Sequence, residues 1–174
     1  MRRAFVTCWM CVALFLAGGA AAQGWATVNP EGGRYRVEMP GTPKVNVVPI
    51  SSAGQTASMT EAVVQVPGAN YLVSWIDYPD RIAQAHAADV LLDRARDGMA
   101  AGHTLRGEKK ITLGRAAGRE FVVAEANGTI NAVRIYFARN RLYTLTVTGR
   151  AGIENQPDTR RFFDSFALVR PQAS

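Results

Sequence analysis

Cysteine, histidine and lysine are all scarce in this chain. Its 174 residues include two cysteines, Cys8 and Cys11, and two histidines, His86 and His103. Both cysteines fall inside an apolar run from Ala4 to Ala17, behind the positive pair Arg2–Arg3. As a helix this run would reach about 21 Å, short of the ~30 Å hydrocarbon core of a bilayer. The small residues Ala20-Ala21-Ala22 follow, so residues 1–22 read as a signal peptide cleaved after Ala22. The Arg2-Arg3-Ala4-Phe5 start is similar to a twin-arginine leader, but the flanking residues of that signal are absent, and general secretion is expected. A mature chain from Gln23 carries no cysteine. Disulfide staples, thiolate metal sites and thiol catalysis are thereby excluded, and an exported domain must be held by core packing.

The remaining absences narrow the class further. No apolar run after the leader is long enough to span a membrane as a helix, and there is no internal repeat, low-complexity tract or interdomain linker. Removing 22 residues from 174 leaves 152, the length of one domain. A composition of 48% hydrophobic and 20% charged residues is that of a globular chain. The only lysines are Lys44, Lys109 and Lys110, so the basic residues are nearly all arginine. Without Arg2 and Arg3, the 20 basic residues become 18 against 14 acids, a net charge of about +4. Such a balance serves solubility and favours anionic partners, without specifying a fold.

What is present is mostly strand. Tyr35, Val37 and Met39 alternate with polar residues, and Pro40-Gly41 ends the segment. Lys44–Ile50 continues as a second strand, with Pro49 marking an edge or an end. Thr56–Val66 and Tyr71–Tyr78 flank Pro67-Gly68-Ala69-Asn70 as a hairpin. The second of these is apolar on both faces, as a central strand would be. From Asp80 to about Ala101 an alanine-rich amphipathic pattern predicts one long helix, capped by Asp80 and packed on a sheet through Ala83, Ala87, Leu91, Ala95 and Met99. Glu108–Leu113 is a short strand, and Gly114–Gly118 reads as a hairpin turn. Asn127-Gly128 and Arg139-Asn140 then join three strands in a meander. Pro157 opens a short helix carrying Phe162, Phe163 and Phe166, and Ala167–Val169 closes the chain as a strand. Segregated strands and helices predict an α+β fold: one antiparallel sheet packed by one long helix and a short C-terminal helix, over residues 23–174.

Reactive constellations are hard to find. His86, Asp89 and Asp93 could present metal ligands on adjoining helix faces, but one imidazole with two carboxylates equally suits a solvated helix surface. No G-x-S-x-G or S-x-x-K pattern supports a serine nucleophile. Asp77 and Asp80 straddle a turn with Pro79, where capping accounts for them better than paired-carboxylate catalysis. Gly114–Gly118 joins strands rather than opening a helix, so it lacks the dipole of a phosphate-cradling loop. No catalytic residue, metal site or cofactor is assigned. The exception to this blandness is a stretch holding Arg134, Arg139, Arg141, Arg150, Arg160 and Arg161 with only Glu154 and Asp158 as acids. Arg134 with Tyr136, and Arg141 with Tyr143, are the candidate ligand-binding residues, since arginine beside an aromatic ring can hold an anion or a stacked ring.

The string Trp25…Pro30…Gly32-Gly33…Arg34–Val45, the aromatic strand Tyr71–Tyr78, the Gly118–Phe121 and Arg141–Val147 strands and the closing Arg161–Phe166 together resemble small exported bacterial proteins with a PsbP/Mog1-like fold. The resemblance covers most of the mature chain, and its motifs are structural. It implies an antiparallel sheet between helices. Members of the wider fold serve as photosystem assembly or small-GTPase-binding factors, roles that do not follow from fold. The expectation is a periplasmic or secreted, non-enzymatic accessory domain with a binding or assembly role of unspecified target, an envelope protein being one candidate partner, with no nucleic acid partner and no membrane span after cleavage. The alternative is a small-anion-binding protein or enzyme using the four meander residues.

Overall fold

A computed structural model describes residues 24–52 and 55–169. The expected signal peptide and residues 53 and 54 lie outside the described residues. Seven strands form one antiparallel sheet: β3 (Lys44–Ser52), β4 (Gln55–Val66), β5 (Ala69–Asp77), β6 (Thr104–Leu113), β7 (Ala116–Ala124), β8 (Ile130–Ala138) and β9 (Arg141–Gly149), in the order β3-β4-β5-β9-β8-β7-β6. A second, three-stranded sheet joins β1 (Ala26–Val28), β2 (Tyr35–Met39) and β10 (Ala167–Leu168), with β2 in the middle. Three α-helices, α1 (Asp80–Ala85), α2 (Ala88–Ala100) and α3 (Pro157–Ser165), cover the two faces of the large sheet. The architecture is the α+β arrangement expected, with a small second sheet that the sequence did not reveal.

Strand alternation sorts the core into two layers. On one face, Tyr71, Val73, Trp75, Tyr136, Tyr143, Leu145 and Val147 meet Tyr35, Val37 and Met39 of β2 and Phe162, Phe163 and Phe166 around α3. On the other, Phe121, Val123, Val133, Ile135, Phe137 and Leu142 meet Leu91 and Leu92 of α2. The first layer is rich in aromatic edge contacts, for example Tyr35 on Trp75 and Tyr71 on Phe162, at centroid distances of 5.6 and 5.4 Å. Such pairs add to the burial of the rings themselves. Gly118 lets β7 and β8 close up: a Cβ there would lie 2.5 Å from the Ile135 carbonyl oxygen and 2.6 Å from a Tyr136 ring carbon.

Four expectations need correction. The single long helix is two, because His86 and Ala87 adopt extended backbone (ψ 139° and 145°) between α1 and α2. His86 Nδ1 lies 3.2 Å from the Ile82 carbonyl at this break. No glycine or proline marks the site; the break frees α2 to set its own phase on the sheet, burying Leu91 and Leu92. Asp80 is the first helical residue rather than the cap, and its carboxylate accepts a 3.1 Å bond from Asn140. The turn expected over Gly114–Gly118 is only Gly114-Arg115, since Ala116 already pairs with Leu113. The segment Trp25–Gly33, which Asn29, Pro30, Gly32 and Gly33 mark in the sequence as a turn-rich entry, contains strand β1, which is held by pairing with β2, from Ala26 opposite Met39 to Val28 opposite Val37.

Candidate functional site: an arginine-rimmed groove

Antiparallel pairing brings the β6–β7 turn, the β8–β9 turn and the end of β5 to one end of the large sheet's strands, where Leu113 pairs with Ala116, Ala138 with Arg141 and Asp77 with Arg141. The small sheet reaches the same place, with Leu168 opposite Tyr35 and the Val169 amide donating to the Arg34 carbonyl at 3.0 Å. Between them lies an open groove of about 630 Å³. Leu113, Ala116, Phe137, Ala138 and Leu168 make its walls apolar, and Arg34, Arg115, Arg139 and Arg141 rim it. Tyr143 is the only lining residue with a side-chain hydroxyl, and no carboxylate or imidazole lines it among the described residues.

The four arginines differ in what holds them. Arg141 is buried, 5% exposed. Its Nε and Nη2 each donate to an Asp77 carboxylate oxygen at 2.6 Å, and Nη1 donates to the Gly32 and Gly33 carbonyls at 2.6 and 3.1 Å. The Arg141 hydrogen bond holds the Asp77 carboxyl below its usual range, against the opposing effect of burial. Arg141 therefore ties β9, β5 and the loop before β2 together, with its charge matched. Arg34, Arg115 and Arg139 are exposed and form no ion pair among the described residues, although Arg34 adds a lesser attraction to Asp77. Arg34 and Arg139 are also the only non-glycine residues described with positive φ, at 57° and 60°. Left-handed backbone costs an L-residue roughly 1–2 kcal/mol, and glycine or asparagine is the usual occupant. Arg139 occupies the first central position of a two-residue hairpin turn, where glycine would relieve that cost.

The sequence-derived candidates divide between two places. Arg141 and Tyr143 line the groove; Arg134 and Tyr136 are outside its lining. All four share one face of the sheet, and Tyr136 pairs directly with Tyr143. Arg134, however, is four residues along β8 from Ala138, the partner of Arg141, a separation of about 13 Å. That face is covered rather than open. Tyr136 stacks on Phe166 with an interplanar angle of 7°, and burial raises its hydroxyl pKa. Arg134 sits over the Phe163 ring at 4.9 Å and bonds Glu120 and Asp164, so it fastens α3 to the sheet.

A second arginine escaped the sequence reading. Arg119 on β7 is 1% exposed. It donates to Asp89 at 2.8 Å and, through Nε and Nη2, to Asp93 at 3.1 and 3.0 Å, while Nη1 donates to its neighbour's carbonyl at 3.1 Å. Asp89 and Asp93, the carboxylates weighed as metal ligands with His86, thus receive Arg119, which clamps α2 on the sheet. The signal was available: Arg119 is in phase with the inward-facing Phe121 and Val123, and Asp89 and Asp93 are one helical turn apart.

Guanidinium groups suit this groove to holding rather than transferring. They remain protonated in proteins and bind carboxylate or phosphate oxygens in pairs.

No protein-family model and no curated protein matches the sequence. Among solved structures, the chain is similar to cyanobacterial PsbP (CyanoP) from Synechocystis sp. PCC 6803, with a TM-score of 0.52 at 13% identity, covering 90% of this chain and 99% of that one. It also matches a Pseudomonas aeruginosa protein of unknown function, PA94, with a TM-score of 0.39 at 12% identity, covering 86% of this chain and 99% of that one. The first likeness establishes a PsbP-like fold. No helix among the described residues is long and apolar enough to cross a membrane.

Proposed function

We propose that this chain is an exported, non-enzymatic accessory domain of the periplasm or extracellular space, and that it works by binding an anionic component of the cell envelope through the arginine-rimmed groove. The observation that carries this reading is the convergence of Arg34, Arg115 and Arg139, without ion-pair partners among the described residues, on one apolar groove. Arg141 on the same rim is matched by Asp77, and elsewhere Arg96, Arg119, Arg134 and Arg161 each meet a carboxylate. Unmatched cations gathered beside apolar surface favour a partner that brings negative charge and loses water on docking. The PsbP-like fold is compatible with an accessory role and does not dictate one.

The test is retention of envelope components by tagged mature protein. Wild type is expected to hold a defined component at low salt and release it as salt rises. A variant carrying Arg34→Gly, Arg115→Ala and Arg139→Gly is expected to hold none of it. Equal retention by the two proteins would remove the groove from the function.

A further inference from the structure

We infer that the groove takes a phosphate monoester joined to an apolar body. This rests on the reading of the groove as an anion-binding site and adds the chemistry of the anion. Three exposed guanidinium groups rim the groove without ion-pair partners among the described residues, while Arg141 is already matched by Asp77. A phosphate monoester near neutral pH carries close to two negative charges on three terminal oxygens, and arginine grips such oxygens two at a time. A lone carboxylate brings one charge and would leave the rim under-neutralised. The walls supply the second half of the argument. Leu113, Ala116, Phe137 and Leu168 offer apolar surface and no hydrogen bonds, so an alkyl or aromatic body is favoured there. A peptide laid on the same side chains would leave its amides without partners. The volume, about 630 Å³, is that of a small-molecule site.

The backbone points the same way. Arg34 and Arg139, far apart in sequence, both hold left-handed conformations and both line this groove. Strain of this kind collects at binding sites, where the side chain's position compensates for its cost.

Two sources could present this chemistry: a free phosphate ester, or a lipid whose head is a phosphate monoester. The experiment separates them. Octyl phosphate is titrated by calorimetry into the mature protein, with inorganic phosphate alongside. Vesicles of phosphatidylcholine with and without phosphatidate are tested by co-sedimentation. Octyl phosphate is expected to saturate one site with a dissociation constant below 1 mM, a scale typical of small-ligand sites. Inorganic phosphate, lacking the apolar body, is expected to bind about tenfold or more weakly, since it buries no methylenes against the apolar walls. Arg34→Gly and Arg139→Gly keep the backbone conformation while deleting the charge, and each is expected to weaken octyl phosphate about tenfold. The exposed Arg160, outside the groove, gives a control variant, Arg160→Ala, that binds as wild type does. Octyl phosphate binding with phosphatidate-dependent sedimentation assigns the lipid; octyl phosphate binding without sedimentation assigns the free ester. Absence of saturable octyl phosphate binding, or binding unchanged in the glycine variants, overturns the inference. If octyl phosphate fails while the groove variant still loses its envelope component, only the phosphate chemistry is wrong and the anionic groove stands.

Discussion

Arg119, Arg134 and Arg141 each bond a carboxylate, while Arg34, Arg115 and Arg139 form no ion pair among the described residues. The first three are strand residues whose side chains lie against packed elements: α2 for Arg119, α3 for Arg134, and the loop before β2 for Arg141. The other three lie where strands end, in turns or at the first residue before β2. The difference teaches that one residue type performs two separate tasks here. An arginine desolvated by folding must be matched within the fold, because an unpaired buried charge is costly. An arginine left in water at a turn needs no match, and its charge remains available to a partner.

That contrast can be broken most forcefully at Arg119. Replacing both Asp89 and Asp93 by asparagine leaves its buried guanidinium without full charges nearby, apart from Glu108 at 3.7 Å. We expect the largest fall in urea midpoint of the set, moderated by water because the two acids are half exposed. Arg119→Met, which removes the charge and keeps the bulk, is expected to cost less than about 1.5 kcal/mol. If the methionine variant proves the more damaged, the clamp works by shape rather than by charge.

Next in size is Arg141→Ala, which removes the chelate on Asp77 and two carbonyl contacts, for an expected loss of about 2 kcal/mol at neutral pH. The acid dependence sharpens this. Asp77 has a folded pKa below its unfolded value, so its share of stability is complete above the unfolded pKa, near 4, and is lost as pH falls through the folded value. The gap between wild type and Arg141→Ala should therefore narrow as pH falls below about 4, down to the share owed to the Gly32 and Gly33 carbonyl contacts, read from urea midpoints as a function of pH. A gap that stays constant through acid would assign the effect to packing.

Arg134→Ala should have the smallest effect of the matched group, about 1 kcal/mol. Its guanidinium is partly exposed, and its contribution is divided between the Phe163 face and two surface carboxylates. A loss equal to that of Arg141→Ala would show that fastening α3 matters as much as fastening the loop before β2.

The layers of the fold were legible wherever a strand has one buried face. Tyr35-Val37-Met39, Tyr71-Val73-Trp75 and Tyr143-Leu145-Val147 alternate cleanly, and all nine residues are in the core. The Asn127-Gly128 turn was legible because its chemistry is local: Gly128 has φ 86°, and the Thr129 amide donates to the Asn127 side chain at 2.8 Å. The helix break at His86–Ala87 was hidden because the surrounding alanines suit a continuous helix, and only the docking of α2 interrupts it. Strand β1 was hidden because three residues carry no measurable period. The groove was half legible. Arg141 and Tyr143 could be named from the meander, but Arg34 and Arg115 reach the groove through pairings distant in sequence. The positive φ of Arg34 and Arg139 leaves no mark on residue choice, since arginine is not a residue that announces a left-handed turn.

The division of labour among the arginines is tested most directly by one melting curve, that of the Arg34→Gly, Arg115→Ala, Arg139→Gly variant. The account predicts a Tm within about 2 °C of wild type or above it, because no ion pair among the described residues is lost and two strained positions relax. A fall of about 6 °C or more, equivalent to some 2 kcal/mol for a domain of this size, would mean that these arginines hold the fold together and are not reserved for a partner.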